Sequence, residues 1–443
     1  MHEKIGFISL GCPKNQVDSE LMLEKLDAAG YEIIDTAYGA DVVIINTCGF
    51  IEDAKKEAID NILEMVEYKE DGQVGKIIVI GCLAERYRDE ILKEIPEVDA
   101  VGGLGVNGDI VGFVGNVLKG TEKSRYPEKE KLPLCGKRIL TTPSHWAYLK
   151  ISDGCSNCCT YCAIPSIRGP FRSRSKEEIV LEARALAESG VRELIVIAQD
   201  TTRYGEDIYG KPVLDELLYE LNKIEGIEWI RLLYCYPDRL TDSLLRCMSE
   251  CEKVLHYIDL PLQHASGRIL KAMNRRGDEK NLLELIEKIR SFMPDCIIRT
   301  TFITGFPGET EEDFEILSEF VNKARFDRLG CFAYSPEEGT PAEKLPGRVD
   351  SETAVRRGEI IMEQQFSIFS EKLESLVGKT VKCVVEGYDY YTDSYSGRTW
   401  MDAPEIDSGI NFVSGKELGI GETVDILITA VDEYDLLGTA DIN

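Results

Sequence analysis

Histidine is scarce in this chain of 443 residues: His2, His145, His256 and His264 are the only four. That limits the zinc sites the sequence can build, because structural zinc draws its four ligands mostly from cysteine and histidine. Basic residues are also outnumbered, 51 Lys and Arg against 79 Asp and Glu, for a net charge of -28. A field of that sign repels phosphate backbones and attracts basic partners, so nucleic acid is disfavoured as a substrate. No apolar run approaches the 18 or so residues of a membrane span, and residues 1–6 lack the apolar stretch of a signal peptide. A cytoplasmic protein with no membrane partner is expected. Close cysteine pairing is missing over most of the chain, so its 14 cysteines read as reduced thiols and metal ligands rather than a disulfide framework.

Three of those cysteines carry most of the information. Cys155, Cys159 and Cys162 form a C-x3-C-x2-C triplet within residues 153–162. Three thiolates on one short loop can hold three irons of a four-iron cluster and leave the fourth open to a small molecule. The competing reading is a zinc knuckle. Its fourth ligand would have to be Cys158, which adjoins Cys159, and two adjacent residues reach one tetrahedral ion poorly.

The length exceeds what one hydrophobic core supports and implies about three domains. Residues 1–120 alternate buried-strand runs, at 4–10, 42–46 and 76–80, with helical spacing at 18–29 and 53–67, which predicts an open parallel α/β sheet. Cys12, Cys48 and Cys82 each follow one of these strands. Ligands of open α/β sheets bind at that edge, so a second three-cysteine cluster site is expected there. The run from Gly103 to Gly108 fits G-x-G-x-x-G, but it comes late in the domain and leads into a Pro- and Lys-rich segment, which argues against a dinucleotide site.

Residues 121–140 read as a linker. Strand signals then repeat six times within residues 141–350, at 147–152, 193–199, 229–234, 254–261, 296–303 and 328–334, with helical segments between. Six βα units rather than eight predict a partial barrel, open on one side, with the cysteine triplet just past the first strand on the face where barrel enzymes build active sites. Within residues 351–376, Val355, Met362, Phe366, Phe369, Leu373 and Leu376 form a helical stripe expected to pack on the barrel. Residues 377–443 alternate in period two and predict a small all-β barrel. It carries Lys379, Lys382, Arg398 and Lys416 against thirteen acidic residues, which points to a basic protein partner.

On these cysteine triplets and this three-part layout, the chain resembles the radical S-adenosylmethionine (SAM) methylthiotransferases over nearly its whole length. Residues 11–20 (GCPKNQVDSE), 46–51 (NTCGFI), 199–205 (QDTTRYG), 261–264 (PLQH) and 402–407 (DAPEID) are similar to the branch that modifies an aspartate of the small-subunit ribosomal protein S-twelve. The resemblance implies a central radical SAM barrel, a TRAM-like terminal barrel and two 4Fe-4S clusters, one on Cys155, Cys159 and Cys162 that binds SAM, one on Cys12, Cys48 and Cys82 that delivers sulfur. It implies SAM contacts at Tyr161, Gln199, Asp200 and Arg299, and no catalytic residue beyond the cluster ligands. The target is an unactivated β-carbon with no acidic proton, so a radical must take the hydrogen and the cofactor carries that chemistry. Implied partners are the ribosomal protein, free or in the subunit, and a low-potential electron donor such as flavodoxin or ferredoxin. A tRNA methylthiotransferase and a non-catalytic iron-sulfur scaffold are the rival readings. Cys158 stands where the family more often has a basic residue; the triplet spacing favours Cys159 as the ligand. His264 is expected to be hydrogen-bonded scaffold.

Overall fold

The computed structural model of the protein describes residues 3–441. Its N-terminal part is a six-stranded parallel sheet in the order Glu32–Ile34, Lys4–Ser9, Ala40–Thr47, Val74–Gly81, Ala100–Gly102, Ser124–Arg125. The two central strands read as unbroken Val and Ile runs because both faces are covered. Val42, Ile44, Ile78 and Ile80 meet helices Pro13–Ala28 and Ile110–Leu118 on one face. Val43, Ile45, Ile77 and Val79 meet helix Glu52–Glu70 on the other. The sixth strand comes from the segment expected to be a linker, and pairs Val101 with Ser124.

The central sheet is also parallel and runs in chain order through Trp146–Lys150, Glu193–Ile197, Trp229–Leu232, Val254–Asp259, Ile297–Thr304 and Arg328–Ala333. Its first and last strands do not pair, so it is the open partial barrel that six βα units predict. Helices including Lys176–Glu188, Leu214–Asn222, Glu279–Phe292 and Glu311–Ala324 cover its outside around one continuous apolar core.

Helix Ser351–Glu374, capped by Asp350 accepting from the Thr353 amide, leads from the barrel to the last domain. The expected apolar stripe is only partly its buried face. Phe369 and Leu373 are buried, whereas Val355, Met362 and Phe366 are 48%, 39% and 41% exposed. The face actually buried includes Arg357, paired to Glu309, Gly358 against Thr304, and Gln365, bonded to the Phe326 carbonyl. The same face buries Ala354, Ile361 and Ile368, an apolar series one position off the expected one, and the polar Arg357 and Gln365 between them interrupt it, so hydrophobic periodicity drew the stripe off the true axis.

Strands Thr380–Asp389, Ser394–Thr399, Ile410–Val413, Thr423–Asp432 and Asp435–Thr439 close into a five-stranded barrel. It caps the amino ends of the central strands. Trp146 and Trp229, each the first residue of its strand, share a core with Val384, Met401 and Phe412. Among the described residues no helix is long and apolar enough to cross a membrane.

Candidate iron-sulfur centre

Both cysteine triplets face one cavity of about 330 Å³ between the N-terminal sheet and the partial barrel. Cys12, Cys48 and Cys82 stand directly after the strands ending at Ser9, Thr47 and Gly81 or one turn beyond. Cys155, Cys159 and Cys162 come from the loop that follows the first barrel strand. Close approach of the loops depends on glycine. Gly11 has φ +88°, and a Cβ there would fall 2.4 Å from Cβ of Cys48. Gly154 has φ +76°, and its Cβ would meet the Pro170 carbonyl at 2.1 Å. Only glycine adopts such angles without a Cβ penalty, and at both places the Cβ would also collide.

Cys159 is in the cavity wall; Cys158 is not. Cys158 sits at φ +53°, exposed, with its thiol 3.7 Å from the Ser156 carbonyl. A seventh thiol, Cys235, also reaches the wall and is hydrogen-bonded to Thr201.

Burial pushes Cys82 and Cys162 up to about 12 and Cys155 up to about 11, and raises Cys48. Cys12 differs: burial raises it, but the Lys14 ammonium and the Arg168 guanidinium outweigh burial and hold it below the usual thiol value. Iron binds thiolates, so loading these sites must release protons. Among the described residues no three His, Cys, Asp or Glu side chains gather on a single ion. Six cysteines spread around a cavity of this size suit two multi-iron groups with three ligands each.

A buried charge network joins the two loops. Arg168 donates to Asp18 at 3.0 Å, to Asp153 at 2.8 Å and to Asn15 at 3.3 Å. Lys150 donates to the same two carboxylates. All four charged side chains are at most 1% exposed. Two cations balance two anions, and each group has hydrogen-bonding partners, which is what burial of charge requires. Burial would raise Asp153, but Arg168 and Lys150 outweigh it and hold the carboxyl well below its usual range.

Of the other sequence-expected site residues, Tyr161 and Gln199 line the cavity. The Tyr161 hydroxyl lies 3.4 Å from Arg275, and Gln199 donates to Asp153 at 3.4 Å. Asp200 is 1% exposed and stands outside the wall, accepting from Asn157 at 2.7 Å and from Thr202 at 2.6 Å; it holds the cysteine loop from behind. Arg299 is not brought here. It is the third residue of strand Ile297–Thr304, near the amino end, where it pairs with Asp259 at 2.9 Å and Asp407 at 3.5 Å and lines a different cavity of about 250 Å³. A position at the start of a barrel strand faces the end away from the site.

His264 is fully buried, accepting from the Ser266 amide with Glu309 at 3.4 Å. In the glycine run, the Glu85 carboxylate accepts from the Leu104 amide at 3.0 Å, in the place a phosphate would need. Residues not singled out in the sequence complete the wall. Arg275 stacks on Tyr236 with 4.3 Å to the ring centroid, donates to the Pro261 carbonyl at 2.6 Å and comes within 3.8 Å of the Cys159 sulfur. Lys14 lies over the Tyr234 ring, 3.2 Å from its centroid. Burial lowers the Lys14 ammonium from its usual value, with Cys12 opposing that shift.

Comparison with known proteins agrees with this layout. Residues 4–103 match the Uncharacterized protein family UPF0004, 149–321 the Radical SAM superfamily, and 377–440 the TRAM domain. The ribosomal protein uS12 methylthiotransferase RimO of Lachnoclostridium phytofermentans is 48% identical over 99% of this chain and 100% of its own. That of Acetivibrio thermocellus is 47% identical over 99% of this chain and 98% of its own. The chain belongs to the RimO family. Among solved structures, the radical SAM methyltransferase TsrM from Kitasatospora setae superposes with a TM-score of 0.57 at 11% identity over 77% of each chain. The cobalamin-dependent radical SAM enzyme OxsB gives 0.52 at 12% identity over 84% of this chain and 58% of its own. Identities that low show a shared fold alone. These alignments to the RimO relatives span the N-terminal sheet, the partial barrel and the terminal barrel alike.

Proposed function

We propose that the protein transfers a methylthio group to the β-carbon of an aspartate in ribosomal protein uS12. The observation that supports this most is the convergence of two cysteine triplets, from separate domains, on one cavity in a chain of the RimO family. Cys155, Cys159 and Cys162 hold the cluster that binds SAM, and Cys12, Cys48 and Cys82 hold the second. When bound, these groups supply the electron, the hydrogen-abstracting radical and the sulfur that no side chain here provides. The chain's own residues set the separation of the two sites through Arg168, Asp153, Asp18 and Lys150, which lock one loop to the other. Tyr161 and Gln199 orient SAM from the cavity wall. Tyr234, Tyr236 and Phe50 narrow the cavity and keep bulk water from its centre. The acidic C-terminal barrel draws in the basic ribosomal protein, free or within the subunit, and a low-potential flavodoxin or ferredoxin supplies electrons.

The test is reconstituted protein with SAM, a strong reductant and purified uS12, followed by mass spectrometry of the product. A single methylthio group on one aspartate is expected, with 5'-deoxyadenosine formed alongside. Cys155→Ala abolishes SAM cleavage; Cys12→Ala leaves cleavage measurable and stops transfer. Modification of tRNA in place of uS12 would overturn the reading.

A further inference from the structure

We propose that Lys14 is the specificity residue for the substrate, binding the carboxylate of the aspartate to be modified. The inference rests on the functional reading above and names what that reading leaves open, the group that recognises the target side chain.

Three cations reach the walls of the cavity: Lys14, Arg168 and Arg275. Two already donate to protein acceptors. Arg168 is held by Asp18, Asp153 and Asn15, and Arg275 by the Pro261 carbonyl and the Tyr161 hydroxyl. Lys14 is 6% exposed and its ammonium donates to no acceptor among the described residues; its Nζ rests on the face of Tyr234, and the charge that acts on it most is that of Cys12, a cluster ligand whose sulfur is taken up by iron. A buried ammonium whose N–H donors meet no protein acceptor is costly, and such a donor set suits an anionic ligand. The backbone beneath it is strained to match. Tyr234 has φ +59° and Gln263, also in the wall, φ +73°, and left-handed non-glycine residues concentrate at ligand clamps. Tyr234 is fixed in this pose by its amide donating to Asp259 at 3.0 Å.

The position suits the chemistry. Lys14 is two residues from Cys12, and the cavity it faces also contains Cys155, Cys159 and Cys162. In an aspartate the reacting carbon is bonded directly to the carboxylate carbon. Fixing the carboxylate at Lys14 therefore fixes the reacting carbon to within one bond and selects which of its hydrogens is presented. An amide in the same place offers no charge, so the pairing also discriminates aspartate from asparagine.

The experiment compares cluster-loaded wild type, Lys14→Met and Lys14→Arg for binding of a uS12 peptide carrying the target aspartate and of the same peptide with asparagine there. Loss of one partner of a buried charge pair predicts weakening of the aspartate peptide by about thirtyfold or more in Lys14→Met. The asparagine peptide should bind wild type and Lys14→Met alike, and Lys14→Arg should recover part of the preference. If Lys14→Met fails to retain iron, Lys14→Gln supplies the same comparison. Equal weakening of both peptides would make Lys14 structural and overturn the inference. So would a raised KM for SAM with peptide binding unchanged, which would put Lys14 on the methionine carboxylate. Wild type that modifies no uS12 would sink the functional reading itself; wild type that does, with peptide preference unmoved by any Lys14 variant, sinks this inference alone.

Discussion

The partial barrel meets its two neighbours through buried ion pairs at both ends, but the two junctions are built differently. At the cavity end, Asp18, Lys150, Asp153 and Arg168 form a closed network with no charged side chain more than 1% exposed. At the far end, Glu193 sits between Arg231 at 2.8 Å and Arg398 at 2.6 Å, and Arg328 pairs with Asp402 at 2.5 Å. That second junction has an apolar core beneath it, from Trp146, Trp229, Phe369 and Met401. At the cavity end the apolar patch against the cysteine loop is small: Cys82, Leu104, Ala163 and Ile167. Buried ion pairs contribute little net stability but are costly to break, so they define geometry more than they add strength. The far junction attaches a domain. The near one sets the spacing of two ligand loops: Asp18 follows Cys12 by six residues, Asp153 precedes Cys155 by two, and Arg168 follows Cys162 by six.

The comparison is broken most directly by Arg168→Met. It leaves Asp18 and Asp153 buried with Lys150 as their sole cation, and breaking a buried pair from one side costs about 3–5 kcal/mol. Denaturant unfolding should register that loss, and iron content should fall at both triplets because the two loops share this residue. A variant that keeps full iron would show that the network is not what holds the loops.

Arg398→Met is the matching change at the far end. Arg398 also donates to Glu386 at 3.0 Å and to the Asp402 carbonyl at 3.1 Å, but Glu193 retains Arg231, Glu386 is partly exposed and the apolar core remains, so the expected loss is about 2–3 kcal/mol, the upper range for charged hydrogen bonds. Iron content and SAM cleavage should stay at wild-type levels. If they fall as far as in Arg168→Met, the two junctions are not functionally distinct.

Acid sharpens the contrast at lower cost. Burial would raise Glu193, but Arg398 and Arg231 outweigh it and hold its carboxyl below the usual value. A depressed folded pKa gives stability that is present above the unfolded carboxyl value of about 4 and is lost as pH falls through the folded value. All three tryptophans, Trp146, Trp229 and Trp400, lie at this junction, so intrinsic fluorescence reports it selectively. The urea midpoint followed by fluorescence should drop as pH falls below about 4, and Glu193→Gln should flatten that drop. An unchanged slope in Glu193→Gln would assign the acid sensitivity elsewhere.

The layered architecture was legible because it is written in apolar periodicity and in strand-end cysteines. Val42 to Ile45 and Ile77 to Ile80 could only be strands covered on both faces, and Cys12, Cys48 and Cys82 marked the edge where they end. The rest of the site was not legible for one physical reason. Lys14, Asn15, Asp18 and Glu20 are buried polar residues on the helix Pro13–Ala28, wedged between two domains: Asp18 and Glu20 are ion-paired, Asn15 is hydrogen-bonded and Lys14 rests on the Tyr234 ring, and no hydrophobic pattern marks a face buried in that way. Arg168 and Arg275 are likewise arginines in loops or at the end of a short helix, indistinguishable in sequence from surface ones until their acceptors are placed. Arg299 failed in the opposite direction: the strand was found, but its residue faces the end away from the cavity.

The smallest effect belongs to the cysteine loop itself, and it separates residues that merely lie at the near junction from those that build it. Cys158 is exposed and holds a left-handed φ of +53°, a conformation that costs a side-chain-bearing residue about 1–2 kcal/mol relative to glycine. Glycine adds about 0.5–1 kcal/mol of backbone entropy to the cost of folding, so Cys158→Gly should be neutral to about 1 kcal/mol stabilising. Its iron content should equal wild type, because Cys159 and not Cys158 faces the cavity. Cys159→Gly in the same assay should lose the iron of one cluster. The reverse outcome, with iron lost in Cys158→Gly and kept in Cys159→Gly, would mean that the loop rearranges on loading and that its φ at Cys158 is a hinge toward the metal.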